Sequence, residues 1–270
     1  MPPRIPSQAD LTPLLPFHTT ITPPSPPEST TTFLILLHGL GDSEAPFATF
    51  AQNMALPGVM CISVRGPSLL PASLLLDTDT DTDTGAASSD THQKLGHYHW
   101  GDDIHLDSST GEIDPDPGFT RAHGLVMDKL VKGVLVGECG WDVSDVMVLG
   151  FGQGGSLALG MGAALIIRGV EARDMFRGIV SIGGPLPMSM LSGGGRREGK
   201  GEKKGEEKEK SQTHVLLCQV REEEARVVER EFAHVDVVRW ERQGVSMPRN
   251  REEMFPLMKF FAERLRSGGW

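Results

Sequence analysis

Short apolar runs recur along the chain, separated by amphipathic or small-residue stretches of helical length. Phe33 to Leu37, Val59 to Val64 and Gly178 to Leu186 are nearly continuous in apolar residues. That pattern predicts strands buried on both faces. Val146 to Leu149 and His214 to Cys218 add two further strands, and Val235 to Trp240 alternates like a final one. Between them, Phe47 to Ala55, Gly118 to Val136, Ser156 to Ile167 and Glu222 to Phe232 read as helices. Glu252 to Leu265 is a terminal amphipathic helix with Met254, Leu257, Met258, Phe261 and Leu265 on one face. Strands alternating with helices predict an α/β domain with a mostly parallel sheet covered on both sides.

Polar segments set the expected boundaries. Residues 1–30 are rich in Pro, Ser and Thr, and Pro23-Pro24-Ser25-Pro26-Pro27 has polyproline character. They predict a loose N-terminal arm, with one short strand around Phe17 to Ile21. A single domain then spans 31–266. Two stretches, near 77–96 and 193–213, cannot bury enough apolar area to offset ordering entropy and predict disordered insertions. The first opens with an Asp-Thr repeat that lacks the glycine and terminal glutamate of an EF-hand loop. The second mixes Lys, Arg and Glu so that charges nearly cancel.

A formal net charge of −10 argues against a nucleic-acid surface, which needs clustered excess Lys and Arg. Cys61, Cys139 and Cys218 fit no metal spacing and cannot all pair, so reduced thiols and a cytoplasmic or nuclear setting are expected. No apolar run reaches membrane-spanning length, and the N-terminus has no signal-like apolar stretch. His97-Tyr98-His99 precedes Asp102 and Asp103, a spacing that suits a metal. A structured loop around a buried Trp100 fits it better, so no metal and no cofactor are expected.

The chemistry concentrates in a few blocks. Val146 to Leu149 runs into Gly150-Phe151-Gly152-Gln153-Gly154-Gly155, after which a helix begins. This turn comes late in the chain and lacks the G-x-G-x-x-G spacing of a dinucleotide site. With Leu36-Leu37-His38-Gly39-Leu40-Gly41-Asp42, Trp100-Gly101-Asp102 and the Glu253-Met254 helix, it carries a resemblance. The chain resembles the phospholipase/carboxylesterase (acyl-protein thioesterase-like) family of α/β-hydrolases, its fungal members in particular, over roughly residues 30 to 266.

The resemblance implies the α/β-hydrolase fold and a Ser, Asp, His triad acting on an ester or thioester carbonyl. The turn would be the family's nucleophile elbow, yet its serine position is Gly152, which has no side chain to attack with. The family aspartate position falls at Glu223, where a His-Gly pair has become Gln219-Val220. The family histidine position falls at Met247. The two oxyanion donors correspond to the backbone N–H groups of Leu40 and Gln153, and His38, Ser43 and Trp100 are candidate pocket residues. The expected function is a degenerate hydrolase that retains an acyl- or ester-binding pocket. Its expected partners are an acyl ester, thioester or lipid-like ligand, or a protein. One alternative is an active hydrolase using Ser156 or Ser43 as nucleophile. His38 or His99 would then serve as base, and Asp42, Asp102 or Asp103 as acid. Another is a non-catalytic scaffold whose arm and insertions make the contacts.

Overall fold

The computed structural model describes residues 3–12, 18–71, 74, 96–104, 106, 113–165, 174–192 and 210–266. The expected insertions at 77–95 and 193–209 lie outside the described residues. Ser211 to Thr213, also assigned to the second insertion, instead open a strand.

Nine strands are described: β1 Thr19–Thr22, β2 Thr32–Leu37, β3 Val59–Val64, β4 Ser68–Leu69, β5 Tyr98–His99, β6 Val146–Phe151, β7 Gly178–Ile182, β8 Ser211–Cys218 and β9 Phe232–Val238. Seven form one sheet in the order β1-β3-β2-β6-β7-β8-β9, and β4 and β5 form a separate pair. Only β1 runs antiparallel to its neighbour; every other pair in the large sheet is parallel.

Register explains why the central strands are apolar throughout. Ile35, Val148, Ile179 and Val215 stand side by side across β2, β6, β7 and β8. They face one buried layer, with Leu130, Val131, Leu157, Leu159 and Val228. The next row, Leu36, Leu149, Val180 and Leu216, faces the other layer, with Phe47, Leu257 and Phe261. A strand between two helical layers has no polar side to show, so the period-2 signal vanishes.

The helices cover both faces. Glu44–Met54 and Arg251–Arg266 pack on one. Gln153–Ala164 and Glu222–Glu231 pack on the other. They are joined there by a helix that starts as α over Thr120–His123 and continues as a π-helix over Gly124–Glu138. The predicted helix ended at Phe232, but that residue opens β9. The strand expected over Val146 to Leu149 runs from Val146 to Phe151, after a 3₁₀ turn over Val143–Asp145.

The N-terminal segment is more integrated than a loose arm. Gln8–Leu11 forms a short helix, and Leu11 is 1% exposed within the core. Arg4 pairs with Asp10 at 2.8 Å, and the Trp141 indole N–H donates to the Arg4 carbonyl at 2.7 Å. The expected short strand is β1, at the edge of the large sheet.

Truncating Leu11 tests this integration. Leu11→Ala removes a fully buried leucine and is expected to cost about 2–5 kcal/mol in urea unfolding; a loss under half a kcal/mol would return residues 3–12 to a detached arm.

Candidate active site

The loops at the C-terminal ends of β2, β6, β7 and β8 meet above the sheet, the usual ligand position in open α/β folds. The elbow stands at their centre. Gly152 has φ +50° and ψ −119°, the strained turn that lifts a residue out between strand and helix. Its N–H donates to the Ile182 carbonyl at 2.8 Å, and its carbonyl accepts from the Ser156 N–H at 3.1 Å. A Cβ placed on Gly152 would meet nothing nearer than the Gly39 Cα, at 3.9 Å. The position therefore has room for a side chain, although its backbone conformation disfavours one.

Its neighbours have no such room. A Cβ on Gly150 would stand 2.2 Å from the Gly154 carbonyl oxygen, and one on Gly154 would stand 2.4 Å from that of Leu37. A Cβ on Gly184, just beyond β7, would lie 2.4 Å from the Gly152 carbonyl oxygen. Sequence reasoning assigned no site role to this Gly183-Gly184 turn. Its signal was a glycine pair at the exit of a buried strand.

The loop expected to carry the Leu40 donor is braced from behind. His38 is fully buried. Its Nδ1 lies 2.6 Å from the Gly39 carbonyl, and its Nε2 accepts from the Gly66 N–H at 2.8 Å. That pairing fixes the neutral tautomer with the proton on Nδ1. Burial also pushes the His38 pKa down. With both ring nitrogens engaged, His38 is not a free base. Trp100 is equally buried, and its indole N–H donates to the His38 carbonyl at 2.8 Å. The Trp100 backbone N–H donates to the Gln153 side-chain oxygen at 2.7 Å. His38 and Trp100 thus tie the oxyanion loop to the elbow helix rather than face solvent.

The two proposed oxyanion donors sit on these braced segments. Among the described residues, neither the Leu40 N–H nor the Gln153 N–H has a backbone or side-chain acceptor. Leu40 is partly exposed, and Gln153 is the first residue of the helix Gln153–Ala164. The helix dipole adds positive potential at that end.

The positions that the resemblance assigns to the triad present no acid and base to one another. Glu223 is exposed in the first turn of Glu222–Glu231. Met247 is half-buried and packs with Phe151 and Met254 against the core. Its loop is nevertheless held firmly. The Arg242 guanidinium donates to the Met247 carbonyl at 2.9 Å and pairs with Glu253 at 2.8 Å. Gln219, at φ +56°, donates to the Arg242 carbonyl at 3.3 Å and accepts from the Trp240 N–H at 2.9 Å. The turns that would present an acid and a base are linked to each other, but by an amide and a guanidinium.

The alternative nucleophiles and bases are no better placed. Ser156 is buried with no partner for its hydroxyl, and Ser43 precedes Glu44–Met54 without a side-chain capping bond. Asp42 accepts from the Ser43 N–H. Asp102 accepts from the Thr120 and Arg121 N–H groups, each at 2.8 Å, and so caps the helix that follows. His99 is buried, its Nδ1 lacks a partner, and burial lowers its pKa. His234 stacks on His214 at 4.3 Å, with β9 His234 paired to the N-terminal half of β8, away from the elbow end of the sheet. Among the described residues, no group of three His, Cys, Asp or Glu could hold a metal.

Two measurements follow from this geometry. Gly150→Ala forces a clash with backbone and is expected to cost about 3 kcal/mol or more. Gly152→Ala meets open space and is expected to cost about 1–3 kcal/mol of backbone strain. Equal costs in urea unfolding would contradict the packing described. The second concerns pH. His214 is pushed down from 6.5 to about 4 by burial, with Arg264 and His234 adding to it. His38, His99 and His123 are also lowered, each first by burial. The unfolded chain takes up protons at these histidines that the folded chain refuses. Stability is therefore intact above about pH 6.5 and falls as pH drops toward 4. The melting temperature is expected to decline from pH 7 to pH 5, with a shallower decline in His214→Gln.

Comparison with known proteins agrees with this architecture. No family model matches the chain. An uncharacterized hydrolase of Schizosaccharomyces pombe is 33% identical over 160 residues, 58% of this chain and 54% of that protein. Another, from Mycosarcoma maydis, is 30% identical over 128 residues, 47% of this chain and 39% of that protein. The matches thus span about half, and about two fifths, of these relatives' own lengths. Among solved structures, acyl-protein thioesterase 2 of Zea mays superposes with a TM-score of 0.59 at 18% identity, covering 92% of this chain and 99% of that one. A carboxylesterase of Bacillus cereus gives 0.54 at 14% identity, covering 96% and 100%. The chain has the α/β-hydrolase fold, and its structural neighbours are acyl-protein thioesterases and carboxylesterases of the phospholipase/carboxylesterase family.

Proposed function

We propose that this protein is a catalytically degenerate member of that hydrolase group, one that holds an acyl ester, a thioester or the carboxylate of a lipid-like ligand without cleaving it. The observation that carries the reading is the state of the elbow. Gly152 keeps the elbow backbone geometry, and its neighbours keep the close packing, while the attacking atom is absent. A ligand oxygen at this point would face the Leu40 and Gln153 N–H groups. A carbonyl or carboxylate oxygen suits such donors, and no nucleophile stands beside it.

The surrounding residues support loss of chemistry rather than its relocation. A replacement base would need a free ring nitrogen near the elbow. His38 has both nitrogens engaged, His99 is buried with its Nδ1 free but holds no nucleophile in a hydrogen bond, and the Met247 loop, where the resemblance puts the histidine, is fixed by Arg242. Removing two triad members leaves only the small residual rate that binding and an oxyanion hole supply. Burial of all three unpaired cysteines accords with a reducing, cytoplasmic setting.

The test combines labelling, turnover and binding. A fluorophosphonate probe is expected to leave the protein unlabelled, and p-nitrophenyl ester turnover is expected to equal that of Gly152→Ala. Long-chain fatty acid or acyl-CoA is expected to raise the melting temperature, as any ligand selective for the folded state must. Gly152→Ser alone is expected to remain inactive, because no base activates the new hydroxyl. Labelling of the natural protein, or turnover well above Gly152→Ala, would overturn the reading.

A further inference from the structure

The outermost strand, β9, has one neighbour, β8, among the described residues, and its other edge is unpaired. Edge strands normally carry a device against pairing, such as proline, lysine or a bulge. Phe232-Ala233-His234-Val235-Asp236-Val237-Val238 has no proline and no lysine. Its one irregularity lies in the pairing with β8, between Ser211 and His214. A groove runs along each side of it. One, of about 550 Å³, lies between the strand and Glu222–Glu231 and is lined by Glu222, Ala225, Arg226, Glu229, Val237 and Arg239. The other, of about 320 Å³, lies against the terminal helix and is lined by Val238, Phe255 and Phe260. Val237 is 39% exposed and Phe255 is 64% exposed.

The sequence of the strand specifies an occupant. Two copies meeting edge to edge about a twofold axis perpendicular to the sheet pair antiparallel, with the axis on one residue, because directly opposed residues share a face. An axis at Asp236 sets that carboxylate against itself. An axis at His234 sets imidazole against imidazole, and an axis at Val237 sets Asp236 against Val238. An axis at Val235 alone sets His234 against the partner's Asp236 and Asp236 against the partner's His234. It also sets the small Ala233 against the exposed Val237 of the partner subunit.

We infer that β9 is a self-association edge. Two copies of this chain join their seven-stranded sheets through antiparallel β9 strands, centred on Val235. Each contact is made twice, which is what a closed twofold interface requires. The exposed Phe255 stands beside the same edge and adds apolar surface to it. The elbow lies at the C-terminal end of β6, three strands away in the sheet order, so the pairing leaves that site open.

Sedimentation equilibrium on the full chain at micromolar concentration tests the pairing and its register. The natural protein is expected at twice its monomer mass of 29.3 kDa. Val237→Lys places a charge on the free edge, and Ala233→Glu places one opposite it; each is expected to halve the mass with the melting profile of a folded protein retained. The double variant Ala233→Glu/Val237→Lys sets each new glutamate against the partner's lysine and is expected to return to the dimer mass. A natural protein that stays monomeric up to about 100 µM overturns the proposal, that concentration marking binding too weak for a standard interface. A dimer unaffected by Val237→Lys, or a double variant that stays monomeric, overturns it as well.

Discussion

Backbone crowding at the elbow is the constraint on which the rest of the structure depends. The exit of β6, the first turn of the next helix, the exit of β2 and the exit of β7 approach until no side chain fits between them. A Cβ on Gly150, Gly154 or Gly184 would fall within 2.4 Å of a neighbouring carbonyl oxygen. That approach sets the helix Gln153–Ala164 under β6 and β7 and brings the Leu40 loop beside the helix N-terminus. It also holds Gly152 in a conformation that an L side chain adopts only under strain. The fold thus retains the form of a nucleophile elbow whether or not a nucleophile occupies it.

Around that point the structure is held by a hydrogen-bonded scaffold. His38, Trp100 and Gln153 form a continuous set of hydrogen bonds from the oxyanion loop to the elbow helix. Gln219, Arg242 and Glu253 do the same for the loops that would carry an acid and a base. Buried polar groups must be satisfied internally, so such bracing resists change. An amide and a guanidinium hold those loops in order. The unpaired edge at β9 lies outside this frame, where charge pattern rather than crowding sets the behaviour.

Much of the fold was legible in the sequence. Continuous apolar runs marked β2, β3 and β7, because strands between two helical layers show no polar face. The elbow was legible as a glycine cluster between a strand and a helix. The assignment of the family histidine position to Met247 rests on the resemblance alone, since no local pattern marks a loop residue as catalytic. The N-terminal segment was misjudged. Its proline content predicts a loose arm, but Leu11 and β1 contribute apolar contacts and a strand partner that composition does not register.

By itself, the sequence determined the layer order, the sheet-forming runs and the absence of a side chain at Gly152, since these depend on residue type and local spacing. Only the tertiary structure decided the rest. It decided that His38 is spent on two backbone partners, that Asp102 caps a helix, and that Glu223 faces solvent. It also decided that the Gly183-Gly184 turn closes the wall of the elbow. Each of these depends on groups distant in the chain, whose distances arise only when the strands are laid side by side. A residue's chemistry is written in its type; its availability is set by what the fold brings against it.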